Sequence, residues 1–258
     1  MSTILFNEIV FGPIISRRLG VSLGVNLLPR FGKYCNFDCI YCECGFNSDG
    51  KSDTKLPEIL QVREALLNKI ANHDRTLGDI DTITFSGNGE PTMHPSFPEI
   101  IDLALDIRDL YAPKAKVSVL TNGSGLSKPK IKEALKKVDN AIIKIDSAFD
   151  NTINLIDRPQ FPYSVEKVIN DLEDLKGVFV LQTMFLRGVY NGLKIDNTTQ
   201  EEVEGWYQVV RRTSPREIMV YTIDRETPAQ DLQKVTVQEM EQIVNPLRNS
   251  GFKVSVSG

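Results

Sequence analysis

An α/β fold, a partial (β/α)6-type parallel barrel with room for an extra terminal strand, is what this sequence predicts. Two observations carry that expectation. Short, continuously apolar runs alternate with segments of helical spacing along most of the 258 residues. Runs apolar throughout mark strands buried on both faces of a parallel sheet, whereas half-exposed antiparallel strands alternate apolar with polar residues. The chain is also 41% hydrophobic, and α/β barrels commonly use roughly 200 to 250 residues as a single domain.

The elements follow in order. Residues 21–28 supply a first strand, and further strands are expected at 82–85, 116–120, 141–145, 178–184 and 217–221, with a last one at 252–256. Helical spacing marks 57–72, 96–110, 128–138, 163–175, 200–213 and 237–249. The resulting βα alternation is the pattern of a parallel sheet with crossover helices. A single domain over 1–258 would then comprise an N-terminal extension (1–20), a core barrel (21–225) and a C-terminal helix and strand (226–258). The loop at 46–55, rich in Gly, Ser, Asp and Lys, is the expected flexible segment.

Charge and composition narrow the function classes. A net charge of −4 and a pI near 5.4 provide no global attraction to phosphate backbones, so contact with tRNA would need a local basic patch, and a small molecule or nucleotide is favoured. No run approaches the roughly 18 apolar residues that cross a bilayer. Asn7 and Glu8 fall where a signal peptide would be basic or apolar, so the expectation is a cytoplasmic protein without membrane contact. All four cysteines lie between Cys35 and Cys44. Such a cluster cannot staple distant segments, and in a reducing cytosol it points to metal or redox chemistry.

Cys35, Cys39 and Cys42 have the spacing C-x3-C-x2-C, just after the first expected strand. Three thiolates can hold three irons of a cubane and leave the fourth open to a small molecule, whereas electron-carrying cubanes usually have four cysteines. Cys44 keeps a tetrahedral zinc site in play, although zinc sites of four cysteines usually split into two well-separated pairs and Cys42-Glu43-Cys44 is tight for two ligands on one ion. Cys44 then reads as a neighbouring thiol.

In barrel-type sheets reactive groups gather at the carboxyl ends of strands. After residues 82–85 comes Ser86-Gly87-Asn88-Gly89-Glu90-Pro91, where glycines let backbone approach a ligand and Glu90 can pair with an ammonium group, or where the chain simply turns. Asn122, in the turn after the next strand, either positions ligand or caps backbone. Lys144 and Asp146 close a buried strand, where charge is costly unless paired or employed. Lys144 can hold a carboxylate or form an ion pair with Asp146. Gln182 interrupts another apolar strand, as a ligand for a ribose hydroxyl or as a satisfied core group. Arg17, Arg18, Arg158 and Arg225 suit an anionic substrate if they converge, and are otherwise ordinary surface arginines. With His73 and His94 the only histidines, acid–base chemistry by histidine is peripheral.

The motif C-x3-C-x-aromatic-C, with Tyr41 at the aromatic position, resembles the signature loop of the radical S-adenosylmethionine superfamily. Gly89-Glu90-Pro91, preceded by Gly87 and Asn88, resembles the stretch that binds the methionine amino group there, and the turn at Asn122 resembles that after the third strand. Further segments look like a branch known as wyosine-synthase-like iron–sulfur oxidoreductases: 12–13, 16–20, 22–26, 87–95, 146–148, Asp157-Arg158-Pro159 and 222–225. The resemblance implies a [4Fe-4S] cluster on Cys35, Cys39 and Cys42, S-adenosylmethionine chelated to the open iron, and an external electron donor such as flavodoxin or ferredoxin. It also implies a 5′-deoxyadenosyl radical made by reductive cleavage and able to attack unreactive carbons.

Wyosine synthases carry three further cysteines for a second cluster, and this chain has only Cys44 to spare. The implied function is therefore radical chemistry on a substrate that the residues do not identify: a small molecule, a nucleotide or a tRNA base. The alternatives are a non-catalytic zinc or iron–sulfur sensor module and a radical activase of a protein partner.

Overall fold

A computed structural model describes residues 4–16, 18–50 and 53–258. Its contacts group into two compact units, one of Leu5–Cys35 and Asn47–Ala141, the other of Asn36–Phe46 and Ile142–Gly258 with Ile4.

The first unit opens with an antiparallel hairpin of β1 (Val10–Ser16) and β2 (Gly20–Val25), in register from Val10 opposite Val25 to Ser16 opposite Gly20. After α1 (Ile59–Ala71) comes β3 (Thr82–Phe85), parallel to β2; α2 (Phe97–Tyr111) then leads to β4 (Lys116–Thr121), parallel to β3, and α3 (Pro129–Lys137) follows. The sequence predicts these strands because Ile83, Phe85, Val117 and Val119 are apolar and fully buried. Helix α2 buries Phe97, Ile100, Ile101, Ala104 and Ile107, a single stripe at helical spacing. Hydroxyls placed within these strands satisfy one another: Ser22 with Thr84 at 2.8 Å and Thr82 with Ser118 at 2.9 Å.

Strand β1 lies in the segment read as an extension. Gly12-Pro13 suggests a break, but β1 is an edge strand, and its pairing shifts register between Phe11 and Ile14, where a proline without a donor is tolerated.

Strand β5 (Asn140–Lys144) begins in the first unit and passes into the second at Ile142, which continues with α4 (Asp150–Ile156), α5 (Val165–Asp171) and β6 (Val180–Met184). These are followed by β7 (Leu186–Tyr190), β8 (Leu193–Asp196), α6 (Gln200–Thr213), β9 (Glu217–Tyr221), β10 (Leu232–Lys234), α7 (Val237–Asn249) and β11 (Val254–Ser257). Strands β5, β6, β9 and β11 run parallel in that order. Together with β2, β3 and β4 they supply the six α/β strands and the extra terminal strand that the sequence predicts. Capping fixes the helix starts: the Thr199 hydroxyl accepts from the Glu202 N–H, and Thr236 and Glu239 form a reciprocal capping box.

A separate antiparallel sheet, β10-β7-β8, is not expected from the sequence. Only Phe185 separates β6 from β7; the strand expected at 178–184 stops where β6 does, and β7 is not expected. The hairpin signal is nevertheless present. Asn191 and Gly192, between β7 and β8, have φ of 51° and 77°, the left-handed pair that tight hairpins favour.

Candidate functional site

In the first unit, the turn after β3 is built against the chain segment that ends at Cys35. The Tyr34 N–H donates to the Asn88 carbonyl at 2.8 Å, and the Glu90 N–H to the Tyr34 carbonyl at 3.2 Å. This contact is why Gly89 is a glycine: its φ is 143°, and a Cβ there would sit 1.9 Å from the Tyr34 carbonyl oxygen. Gly87 is equally hemmed in, with Asn26 Oδ1 2.6 Å from where its Cβ would be. Asn88 is fully buried, and its amide is spent on backbone: Oδ1 accepts from Phe6 N at 2.8 Å, and Nδ2 donates to the carbonyls of Phe6 at 2.9 Å and Pro29 at 2.8 Å. The glycines and Asn88 thus frame the approach to Cys35.

Glu90 is 2% exposed. Its Oε1 accepts from Thr92 N at 3.1 Å, Thr92 Oγ1 at 2.5 Å and Thr121 Oγ1 at 2.7 Å, and its Oε2 from Asn122 N at 2.7 Å. Burial pushes its pKa up, and these hydrogen bonds oppose the shift without cancelling it. The Asn122 amide Nδ2 lies 4.0 Å from Cys35 Sγ, as a donor to that sulfur. The His94 ring is spent on backbone: Nε2 lies 2.9 Å from the Pro57 carbonyl and Nδ1 accepts from Ser96 N at 3.1 Å.

In the second unit, Cys39 and Cys42 sit on a tight turn in which the Cys42 N–H donates to the Cys39 carbonyl at 3.2 Å. Tyr41 is buried between them, and its hydroxyl hydrogen-bonds to Asp146 and lies 3.1 Å from Asp157 Oδ1. Lys144, at the end of β5, pairs with Asp146 Oδ2 at 3.1 Å and with Asp157 Oδ1, and its Nζ lies 3.9 Å from Cys39 Sγ. Its ammonium also lies over the rings of Phe37 and Tyr41, at 5.5 and 5.4 Å from their centroids. Of the two readings of Lys144, the structure shows the ion pair with Asp146 and adds a second with Asp157.

One ammonium here serves two carboxylates. Burial works against the charged lysine, but Asp146, Asp157 and Cys39 outweigh it and hold its pKa well above the ordinary value. Asp157 moves the other way for an acid: burial first and the Asp146 charge next raise its pKa to about 7, although Lys144 pulls it down. Because the folded-state value is raised, the native state retains this proton where the unfolded chain releases it. The associated stability is present below about pH 4 and is lost as the pH rises to about 7. Asp157→Asn imitates the protonated form. The melting temperature of the variant relative to wild type is expected to climb between those two pH values and level off above them. A pH-independent difference in thermal melts would contradict this assignment.

Asp146 is fixed from other sides as well, since its Oδ1 accepts from Met184 N at 2.8 Å and its carbonyl accepts from Asn197 Nδ2 at 2.9 Å. Gln182 is buried on β6 directly across from Lys144 on β5, so these two candidates are neighbours. Arg158 pairs with Asp38 at 3.3 Å and donates to the Tyr190 hydroxyl at 2.9 Å, whereas the exposed Arg225 pairs with Glu43 at 2.6 Å. Arg18 lies in the β1–β2 turn of the first unit, and Arg17 lies outside the described residues. Asp157 and Asp38 escape the sequence reading as site residues; the signal that could have found Asp157 is the need of a buried lysine for more than one counter-charge.

Among the described residues no three Cys, His, Asp or Glu side chains form a ready-made metal site. The donor chemistry nevertheless fits an iron–sulfur cluster. Thiolates bind such clusters, and N–H donors and cations beside the sulfurs, as Asn122 is to Cys35 and Lys144 to Cys39, favour the thiolate form and stabilise an anionic cluster. No helix among the described residues is long and apolar enough to cross a membrane.

Known proteins agree with this picture. Residues 30–204 match the family model of the Radical SAM superfamily. GTPase Obg of Brachyspira hyodysenteriae is 31% identical over 241 residues, 90% of this chain and 32% of that protein. A UPF0026 protein of Helicobacter pylori is 34% identical over 195 residues, 72% of this chain and 60% of the relative. The chain therefore spans about a third of the first relative and three-fifths of the second. An S-adenosylmethionine-dependent nucleotide dehydratase of Selenomonas ruminantium is 32% identical over 46% of this chain and 38% of its own length.

Among solved structures, a radical SAM methyltransferase from Sphaerobacter thermophilus aligns with a TM-score of 0.69 at 13% identity, covering 92% of this chain and 65% of that one. TYW1 with a bound lysine-pyruvate adduct aligns with a TM-score of 0.60 at 17% identity, over 88% and 73% of the two chains. At these identities the likeness is one of fold, the partial α/β barrel that the sequence predicts. The superfamily works with a [4Fe-4S] cluster and S-adenosylmethionine, and the match over more than half of its residues makes this chain a member of the radical S-adenosylmethionine superfamily.

Proposed function

We propose that this chain is an enzyme that binds a [4Fe-4S] cluster through Cys35, Cys39 and Cys42 and cleaves S-adenosylmethionine reductively. When bound, the cluster supplies the electron that splits the sulfonium to methionine and a 5′-deoxyadenosyl radical. The observation that carries this reading is the C-x3-C-x2-C loop with a nitrogen donor at two of its sulfurs, Asn122 near Cys35 and Lys144 near Cys39.

The chain's own residues have separable tasks in this reading. Lys144 counters thiolate charge at Cys39, and Tyr41, Asp146 and Asp157 hold that ammonium in place. Because Lys144 is held as an ammonium between two acids, it is a poor imine-forming nucleophile. Gly87, Asn88, Gly89, Glu90 and Pro91 form the turn beside Cys35, with the Gly-Glu-Pro stretch and Gln182 assigned to S-adenosylmethionine. The substrate is a small molecule or nucleotide; the Selenomonas relative supports a nucleotide over 46% of this chain. The resemblance of several segments to the wyosine-synthase-like branch keeps a tRNA base as the other reading, which the net charge of −4 does not favour. A flavodoxin or ferredoxin in the cytoplasm would deliver the electron.

Anaerobic reconstitution with iron and sulfide, reduction with dithionite and addition of S-adenosylmethionine tests the reading. The expected result is about four irons and four sulfides per chain, an electron paramagnetic resonance signal altered by S-adenosylmethionine, and release of 5′-deoxyadenosine. A protein that takes up zinc but not iron, or a loaded cluster whose spectrum ignores S-adenosylmethionine, would overturn it in favour of a metal-binding or sensor module.

A further inference from the structure

Helix α4 ends in a way that its own stability does not explain. Arg158 follows the last helical residues with φ of 49°, and its N–H donates to the Ile153 carbonyl at 3.0 Å. This is the left-handed helix-terminating position where glycine is favoured, because a side chain there crowds the backbone. An arginine held against that preference is explained by what its side chain reaches.

That side chain and its backbone reach the cysteine loop. The Asp38 N–H donates to the carbonyls of both Asp157 and Arg158 at 3.1 Å, and the Arg158 guanidinium pairs with the Asp38 carboxylate at 3.3 Å. The Ile40 N–H donates to the Ile156 carbonyl and the Gln160 N–H to the Asn36 carbonyl, both at 2.9 Å, and Phe37 bridges to Pro159. The same guanidinium lies 5.3 Å from the Phe46 ring centroid and 5.4 Å from that of Tyr190, whose hydroxyl accepts from it at 2.9 Å. Asp38 comes immediately before Cys39, and Phe46 comes four residues after Cys42. One planar cation therefore touches the loop on both sides of two cysteines, a geometry that suits arginine and that lysine cannot reproduce.

We infer that Arg158 is a positioning residue that pins the segment carrying Cys39 and Cys42, through Asp38 on one side and Phe46 on the other, rather than a group that binds substrate. The inference rests on the reading that these cysteines hold the cluster. Groups that orient metal ligands govern how tightly the metal is kept, typically by about 10- to 100-fold in affinity.

The test is iron release to a chelator, followed by loss of the cluster's visible absorbance, in reconstituted wild type, Arg158→Gly, Asp38→Asn and the double variant. Glycine suits the backbone at 158, so the cluster-free Arg158→Gly protein is expected to melt at or above the wild-type temperature. Arg158→Asn, which also tolerates that conformation, provides a second variant if glycine loosens the helix end. Both substitutions at 158, and Asp38→Asn, are expected to speed iron release on the order of 10-fold, with the double variant no faster than Arg158→Gly. Wild-type iron-release rates and electron paramagnetic resonance spectra in the variants would overturn the inference and return Arg158 to the pool of substrate-binding candidates. A wild-type protein that holds no iron would instead overturn the cluster reading itself.

Discussion

Replacement of Cys39 by alanine is expected to abolish 5′-deoxyadenosine formation, whereas Cys44→Ala is expected to leave it at the wild-type rate. The contrast follows from spacing and surroundings. Cys39 is nearly buried, is the second of three thiols in C-x3-C-x2-C, and is the one beside the Lys144 ammonium. Without it, the loop offers two ligands of that set, too few to hold three corners of a cubane. Cys44 lies two residues beyond Cys42, a separation poorly suited to a second bond to the same cluster. Iron and sulfide content together with chromatographic detection of 5′-deoxyadenosine measures both variants. If Cys44→Ala loses the metal as completely as Cys39→Ala does, a four-cysteine site replaces the three-cysteine one, and zinc analysis of the same samples identifies it.

The second large effect is on folding. Lys144→Met removes the cation from between Asp146 and Asp157 but keeps a chain of similar length against the Phe37 and Tyr41 rings. Breaking a buried pair from one side costs about 3–5 kcal/mol because the remaining charge is left uncompensated. For a chain of this size that corresponds to a melting temperature lower by on the order of 10 °C, measured by calorimetry or circular dichroism on the cluster-free protein. Lys144→Met combined with Asp157→Asn is expected to recover part of that loss, since the variant pocket then holds one acid instead of two. An unchanged melting temperature in the single variant would mean that the Tyr41 hydroxyl suffices to satisfy both carboxylates.

The parallel strands were legible because burial on both faces leaves a plain mark, a run such as Thr82–Phe85 or Glu217–Tyr221 flanked by helical spacing. What escaped was the short helix α4 (Asp150–Ile156) and the antiparallel strands. Strand β1 carries a proline that edge strands tolerate, and β7 starts one residue after β6 with Arg187 and Gly188 inside it, a composition that reads as a turn. At the site, Lys144 and Asp146 were legible as charges closing a buried strand, a placement that requires partners. Their third partner was not, because Asp157 is brought to them by a helix and a turn rather than by sequence spacing. Asn88 was legible only as part of a glycine turn. A Gly-Asn-Gly turn reads as a loop opened for a ligand, but the group that comes close to Gly89 is the Tyr34 carbonyl, and the Asn88 amide is spent on the carbonyls of Phe6 and Pro29.

That close approach at Gly89 couples the glycine turn to the first cysteine. With the Tyr34 carbonyl 1.9 Å from where a β-carbon would stand, no amino-acid replacement at this position fits without moving backbone. Any replacement must push back the chain segment that delivers Cys35. The glycine turn and the first cysteine are therefore constrained as one unit: remodelling the turn for a new ligand requires rebuilding the route to Cys35 in the same step.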